Sequence, residues 1–168
     1  MSSAPQPPLH LAQYGSPLGV LQLVASDDGL RAVLWPVDGE ALRVPLPDTT
    51  EAPHPVLEQT AAQLDEYFAS ERRSFDLPLD LCGTEFQCDV WKSLADIEFG
   101  TTATYGEQAA RLGRPKAVRA VGAANGKNPV SIVLPCHRVV GSNGKLTGFA
   151  GGLVAKRFLL DHERDQLF

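Results

Sequence analysis

The sequence is short of cysteine. Cys82, Cys88 and Cys136 are its only three in 168 residues. An odd number without framework spacing excludes a disulfide-stapled scaffold and points to free thiols in a reducing compartment. No apolar run approaches the ~20 residues that a membrane-spanning helix needs, so no membrane partner is expected. The opening "MSSAPQPPLH" has no basic region followed by an apolar one. It therefore reads as a disordered tail over residues 1–8 rather than a secretory signal. Nor is there a basic run of the nuclear-localisation kind, which leaves a bacterial-type cytoplasm as the default location.

What is present fits a globular protein. Apolar residues make up 43% and charged residues 21%, enough for one domain or two small ones with a real core. The net charge of −5 hides an uneven distribution. Residues 1–100 carry 5 Lys/Arg against 16 Asp/Glu, whereas residues 101–160 carry 9 Lys/Arg against the single acid Glu107. Such a split is the footprint of a polyanion partner on the basic half, or simply an uneven solvated surface.

Along the chain, "LHLAQY", "LGVLQLVAS" and "LRAVLW" alternate partly with period two between Gly/Asp/Pro turns and predict strands. From Pro53, the spacing of Val56, Leu57, Thr60, Ala61, Leu64, Tyr67 and Phe68 predicts a helix. "SFDLPLDLCG" reads as a strand or a linker. It places a domain boundary at Gly83, with an N-terminal α/β part over 1–83 and a C-terminal part over 84–168. "TEFQ" at 84–87 and "TYGE" at 104–107 are capping boxes that open helices. The first presents Phe86, Val90, Trp91 and Leu94 to a core, and the second is short and closed by Gly113. Pro115 opens a further helix, "PKAVRAVGAAN", completing a helix-turn-helix. That helix has almost no side-chain bulk except for the projecting Arg119. A thin helix serves close packing within a protein and close approach to DNA equally well.

Cys136, in "SIVLPCHRVVG", can be read three ways. It can be a small hydrophobe ending an apolar strand, or a metal ligand, although no short ligand pair accompanies it. It can also be a nucleophile, which needs help because a free thiol with a pKa of about 8.5 is mostly protonated at neutral pH. His137 is the nearest base. Adjacent residues of an extended chain point to opposite sides, so a relay through water suits the pair better than a direct bond. Arg138, charged within an apolar run, needs a buried partner or a phosphate.

Residues 105–163, "YGEQAARLGRPKAVRAVGAANGKNPVSIVLPCHRVVGSNGKLTGFAGGLVAKRFLLDHE", resemble the O6-alkylguanine-DNA alkyltransferases. "PCHRV" is that family's signature around its acceptor cysteine. "RAVG", "NP", "G-x-L-x-G" and "GGL-x-x-K-x-x-LL-x-x-E" follow in matching order. The resemblance is strong over about 84–168 and looser before, where the family has a variable ribonuclease-H-like domain. It implies an α/β fold, with a small sheet-plus-helix domain and a mainly helical, winged-helix-like C-terminal domain. It also implies irreversible, single-turnover transfer of the alkyl group from O6-alkylguanine in DNA to Cys136. His137 would take the thiol proton through water, oriented by Glu163. Tyr105 would donate toward N3 of the departing guanine, and Asn128 would hold the turn before the cysteine. The carbonyls of Cys136 and Val139 would read the exocyclic amine, with Phe149 and the amide of Ala150 against the base. Arg119 would fill the gap left by the extruded nucleotide, a step the chemistry requires because in-duplex O6 is closed to in-line attack. DNA contact falls to Arg119, Gly106, Arg114, Lys116, Gly122 and Ser142, from the minor-groove side of double-stranded DNA, by a monomer without cofactor.

Many relatives have Tyr at Phe149 and Ser or Gly at Ala150. Some relatives hold zinc in the first domain; with no cysteine before Cys82, no metal is expected here. Outside the resemblance, a non-catalytic DNA-binding module and a cysteine hydrolase stay open. So do Glu163 as a solvated tail charge, Tyr105 as a core aromatic and His137 as a satisfied buried histidine. His10, His54 and His162 carry no signal.

Overall fold

The computed structural model describes residues 8–36, 49–50 and 53–165; apart from Pro8, the expected N-terminal tail lies outside the described residues. Three strands, β1 (Leu9–Ser16), β2 (Gly19–Ser26) and β3 (Gly29–Leu34), follow the alternating segments of the sequence. They pair as antiparallel neighbours, with a register shift between Val24 and Ala25. A short β4 (Thr49–Thr50), not foreseen from the sequence, runs parallel to β1, giving the order β3-β2-β1-β4.

The next element, α1 (Pro55–Phe68), starts two residues later than the spacing predicts, because His54 caps it through Nδ1 and Pro55 takes the first helical position. Its buried stripe of Val56, Leu57, Thr60, Leu64 and Tyr67 meets Leu21, Leu23 and Leu30 of the sheet. Each fully buried leucine there contributes about 1.5–3 kcal/mol. The "SFDLPLDLCG" segment is a linker that runs beside the sheet, where Asp80 accepts from Ser26 and Arg31. Leu30 donates to the Pro78 carbonyl at 2.8 Å and accepts from Asp80 at 2.9 Å. Gly29 permits this approach, since a Cβ there would stand 2.7 Å from the Pro78 carbonyl.

Both capping boxes form as read. Thr84 and Gln87 open α2 (Glu85–Ser93), and Thr104 and Glu107 open α3 (Tyr105–Arg111), which follows β5 (Ala103–Thr104). Val90, Trp91 and Leu94 are buried as expected, whereas Phe86 is only half-buried, with the Arg114 guanidinium 5.3 Å above its ring. The next helix does not open at Pro115. Ala117 first closes a turn onto the Arg114 carbonyl, and α4 (Val118–Asn125) begins after it. Gln108 and Asn125 lock α3 to α4 through a buried pair of amides 2.6 Å apart, and the Trp91 indole donates to the Ala124 carbonyl at 2.7 Å. The chain then passes beside β3, where Val33 donates to the Pro129 carbonyl at 2.8 Å. It continues through β6 (Val139–Val140), parallel to β5, to the final α5 (Leu153–Asp165). One apolar core therefore spans the N-terminal sheet and the helical part.

Candidate active site

Every residue from Val130 to Val140 is buried. Asn128 shapes this run, because its amide donates to the Leu134 carbonyl at 2.8 Å and accepts from Val130 N–H at 3.1 Å. Between them Ile132 is held at φ +74, a costly conformation for a β-branched residue. The run ends in a single 3₁₀ turn, Cys136–Arg138, rather than an extended chain. Both Cys136 and His137 thus point inward, with Cys136 keeping 6% exposure and His137 none. Among the described residues no hydrogen bond joins the Cys136 sulfur to the imidazole.

Glu163, on α5, is not a solvated tail charge. It is 1% exposed and saturated with donors. His137 Nε2 lies 2.7 Å from Oε2, and the Tyr67 hydroxyl donates to the same oxygen at 2.6 Å. Arg138 grips both oxygens, through Nε at 2.8 Å and a terminal nitrogen at 3.1 Å, and donates with the other to the Ile97 carbonyl at 2.6 Å. Arg138 is therefore the buried counter-charge, which removes phosphate contact as its role.

Burial opposes a charge on Glu163, but the bonds and charges of His137 and Arg138 outweigh it and hold the carboxyl at about 2. Burial pushes the His137 imidazole below its ordinary value, against the pull of Glu163. It pushes the Cys136 thiol up, opposed by Asn128, Ser131 and the Lys156 charge. At neutral pH the resting site is thus a protonated thiol, a neutral imidazole and a carboxylate. With its Nε2 proton on Glu163, the imidazole has its lone pair on Nδ1, which has no hydrogen-bond partner among the described residues. That atom can accept a proton.

Around this centre, the Tyr105 hydroxyl at the start of α3 lies 3.0 Å from Thr147 Oγ1. The Val139 carbonyl accepts from Lys156 Nζ at 2.6 Å, so one of its lone pairs is already engaged. Lys156 also donates to the Thr147 carbonyl at 2.8 Å. Phe149 and Ala150 are half-buried, with Phe149 edge-on to Trp35 at 5.4 Å. The expected DNA-contact residues are exposed or half-buried. Arg114, Lys116, Arg119 and Ser142 are exposed, Gly106 is half-buried in the first turn of α3, and Gly122 is half-buried against the Tyr105 ring. The thin helix has two faces: Val121, Ala124 and Asn125 pack inward, while Arg119, Ala120 and Ala123 face out.

Tyr67, Lys156 and Trp35 have no functional role in the sequence reading. Lys156, Leu159 and Glu163 share one helical face, and a charged pair on a buried stripe was the available signal. For Tyr67 there was none beyond its place in a core stripe. The histidines without a sequence signal also find partners. His162 Nε2 lies 2.9 Å from the Tyr67 carbonyl, and His10 and His54 stack, each 3.3 Å from Asp27. His54 accepts the Val56 N–H on Nδ1, which puts the proton of its neutral ring on Nε2, facing Asp27. That tautomer suits a carboxylate rather than a metal ion.

Two family models cover this architecture. One, described as 6-O-methylguanine DNA methyltransferase, DNA binding domain, matches residues 85–165. The other, the ribonuclease-like domain of the same family, matches residues 9–81. The chain belongs to the 6-O-methylguanine DNA methyltransferase family. It is similar to a methylated-DNA–protein-cysteine methyltransferase of Methanosarcina acetivorans, 45% identical over 92% of this chain and 98% of that one. A namesake from Mycobacterium leprae is 43% identical over 98% and 90%. The crystal structure of Mycobacterium tuberculosis OGT in complex with DNA superimposes with a TM-score of 0.82 at 41% identity, covering 94% of each chain.

Proposed function

We propose that this chain repairs DNA by moving the alkyl group from O6 of guanine to its own Cys136, once per molecule. The observation that carries this reading is the state of the site: a buried thiol sits directly before a neutral imidazole whose far nitrogen is anchored to a carboxylate kept ionised by a buried arginine. The Cys136 proton passes through a water to His137 Nδ1, and Glu163 stabilises the imidazolium so formed. The sulfur attacks the alkyl carbon in line, an S–C bond forms as the C–O6 bond breaks, and the electron pair stays on the guanine. Tyr105 donates toward N3 and offsets that charge. The thioether has no route back to a thiol, so the protein is spent. Neither metal nor cofactor takes part.

The M. tuberculosis relative was crystallised with DNA, which supports the same partner here. The part over 84–168 binds the duplex from the minor-groove side as a monomer in a bacterial-type cytoplasm. Arg114, Lys116, Gly106, Gly122 and Ser142 meet the backbone, and Arg119 enters the stack. Extruding the damaged nucleotide costs a few kcal/mol, less for a poorly paired base. Val139, Phe149 and Ala150 then receive it. Incubation with duplex DNA carrying radiolabelled O6-methylguanine tests the reading. Label should move to the Cys136 peptide, at most once per molecule, and Cys136→Ser should abolish transfer. Label retained on tightly bound DNA, or repeated turnover of an ester, would overturn it.

A further inference from the structure

The residue that reaches the relay from farthest away in sequence is Tyr67. It belongs to α1, within the ribonuclease-like segment, while Cys136, His137 and Glu163 all belong to the other. Its side chain is fully buried, and its hydroxyl donates to Glu163 Oε2 at 2.6 Å across 96 residues of chain. The same oxygen lies 2.7 Å from His137 Nε2. The Tyr67 ring is wedged among Phe68, Phe75, Phe99 and His162, and its carbonyl lies 2.9 Å from His162 Nε2. The hydroxyl thus has no freedom to turn elsewhere.

We infer that Tyr67 is a positioning residue of the proton relay: its hydroxyl pins Glu163 Oε2 against His137, so that the ribonuclease-like domain sets the proton affinity of the base. This rests on the proposed proton transfer from Cys136 to His137. Glu163 Oε2 is shared among three donors, Tyr67, His137 and, at 3.1 Å, Arg138, and each added donor leaves less for the imidazole. The phenol therefore both holds the carboxylate in place and tempers how strongly it draws a proton onto the imidazole. The other charged and titratable groups around the pair are Arg138 on the same turn, Lys156 and His162 on α5 and the Cys136 thiol. None of them competes with His137 for Oε2 from the N-terminal side.

Tyr67→Phe in the full-length chain tests this, since it removes one oxygen and keeps the ring. Two quantities are read: the single-turnover methyl-transfer rate between pH 5 and 9, and the His137 titration in ¹⁵N-histidine-labelled, unreacted protein. Loss of the hydroxyl should move the His137 midpoint and the acid limb of the rate profile upward together, by about half a unit or more. It should slow transfer about tenfold at pH 7.5, with DNA affinity changed less than twofold. Fluorotyrosine at position 67, a stronger donor, should restore the rate and move the midpoint back down. A purely structural role would lower the melting temperature and leave both midpoints in place, which overturns the inference. The underlying reading fails separately, if His137→Ala transfers methyl groups at the wild-type rate.

Discussion

Replacing Glu163 with glutamine keeps the volume and one acceptor but removes the charge that balances Arg138. Folding lowers the Glu163 carboxyl from its ordinary value of about 4.5 to about 2. At about 1.36 kcal/mol per unit, that shift corresponds to about 3 kcal/mol of stability. An independent route agrees, since breaking a buried ion pair by removing one partner costs about 3–5 kcal/mol. Because the folded value is depressed, this stabilisation is complete above about pH 4.5 and is lost as pH falls through about 2. Urea denaturation at pH 7.5 should therefore place Glu163→Gln about 3 kcal/mol below wild type, a melting-point drop of roughly 6–12 °C for a chain of this size. By pH 3 the gap should shrink to about half. A gap that stays constant between pH 7.5 and 3 would refute the idea that the ionised carboxylate is the source. The variant should also transfer methyl groups about a hundredfold more slowly, since an amide cannot stabilise the imidazolium.

Asn128→Ala strips partners from the Leu134 carbonyl and the Val130 N–H, each costing about 1–3 kcal/mol when buried and unsatisfied. Thermal melting should fall accordingly, and the transfer rate with it as Ile132 relaxes from its strained φ. Gly151→Ala would set a Cβ 2.5 Å from the Trp35 ring; slower methyl transfer and a shifted Trp35 emission are expected, with partial rescue by Trp35→Leu. Lys116→Ala should reduce by about one the slope of log DNA affinity against log salt and weaken damaged and undamaged duplexes alike. Arg119→Ala, by contrast, should slow transfer more than it weakens undamaged-duplex binding.

The local features were legible because each is written in a few adjacent residues. Two capping boxes named the starts of α2 and α3, period-two alternation named β1 to β3, and an ordered run of motifs named the cysteine turn. Legibility failed where neighbours in space are distant in sequence. Pro115 is a fair first helical residue by local rules, yet the turn from Arg114 to Ala117 delays α4 to Val118. An extended chain was the natural reading of "LPCHRV", and the bonds from Asn128 bent it instead. Glu163 in "DHERD" looks solvated until α5 is packed with Lys156, Leu159 and Glu163 turned inward.

By itself, then, the sequence determined the chemistry available: one cysteine beside one histidine at the end of an apolar run, with a basic segment around it. Only the tertiary structure decided the state of that chemistry. Burial holds the imidazole neutral and the thiol protonated, while Arg138 keeps the carboxylate charged. Tyr67 arrives from 96 residues away in the chain to share its oxygen. Proton affinities depend on solvent exclusion and on charges a few ångströms away, and those distances exist only once the chain has closed its core.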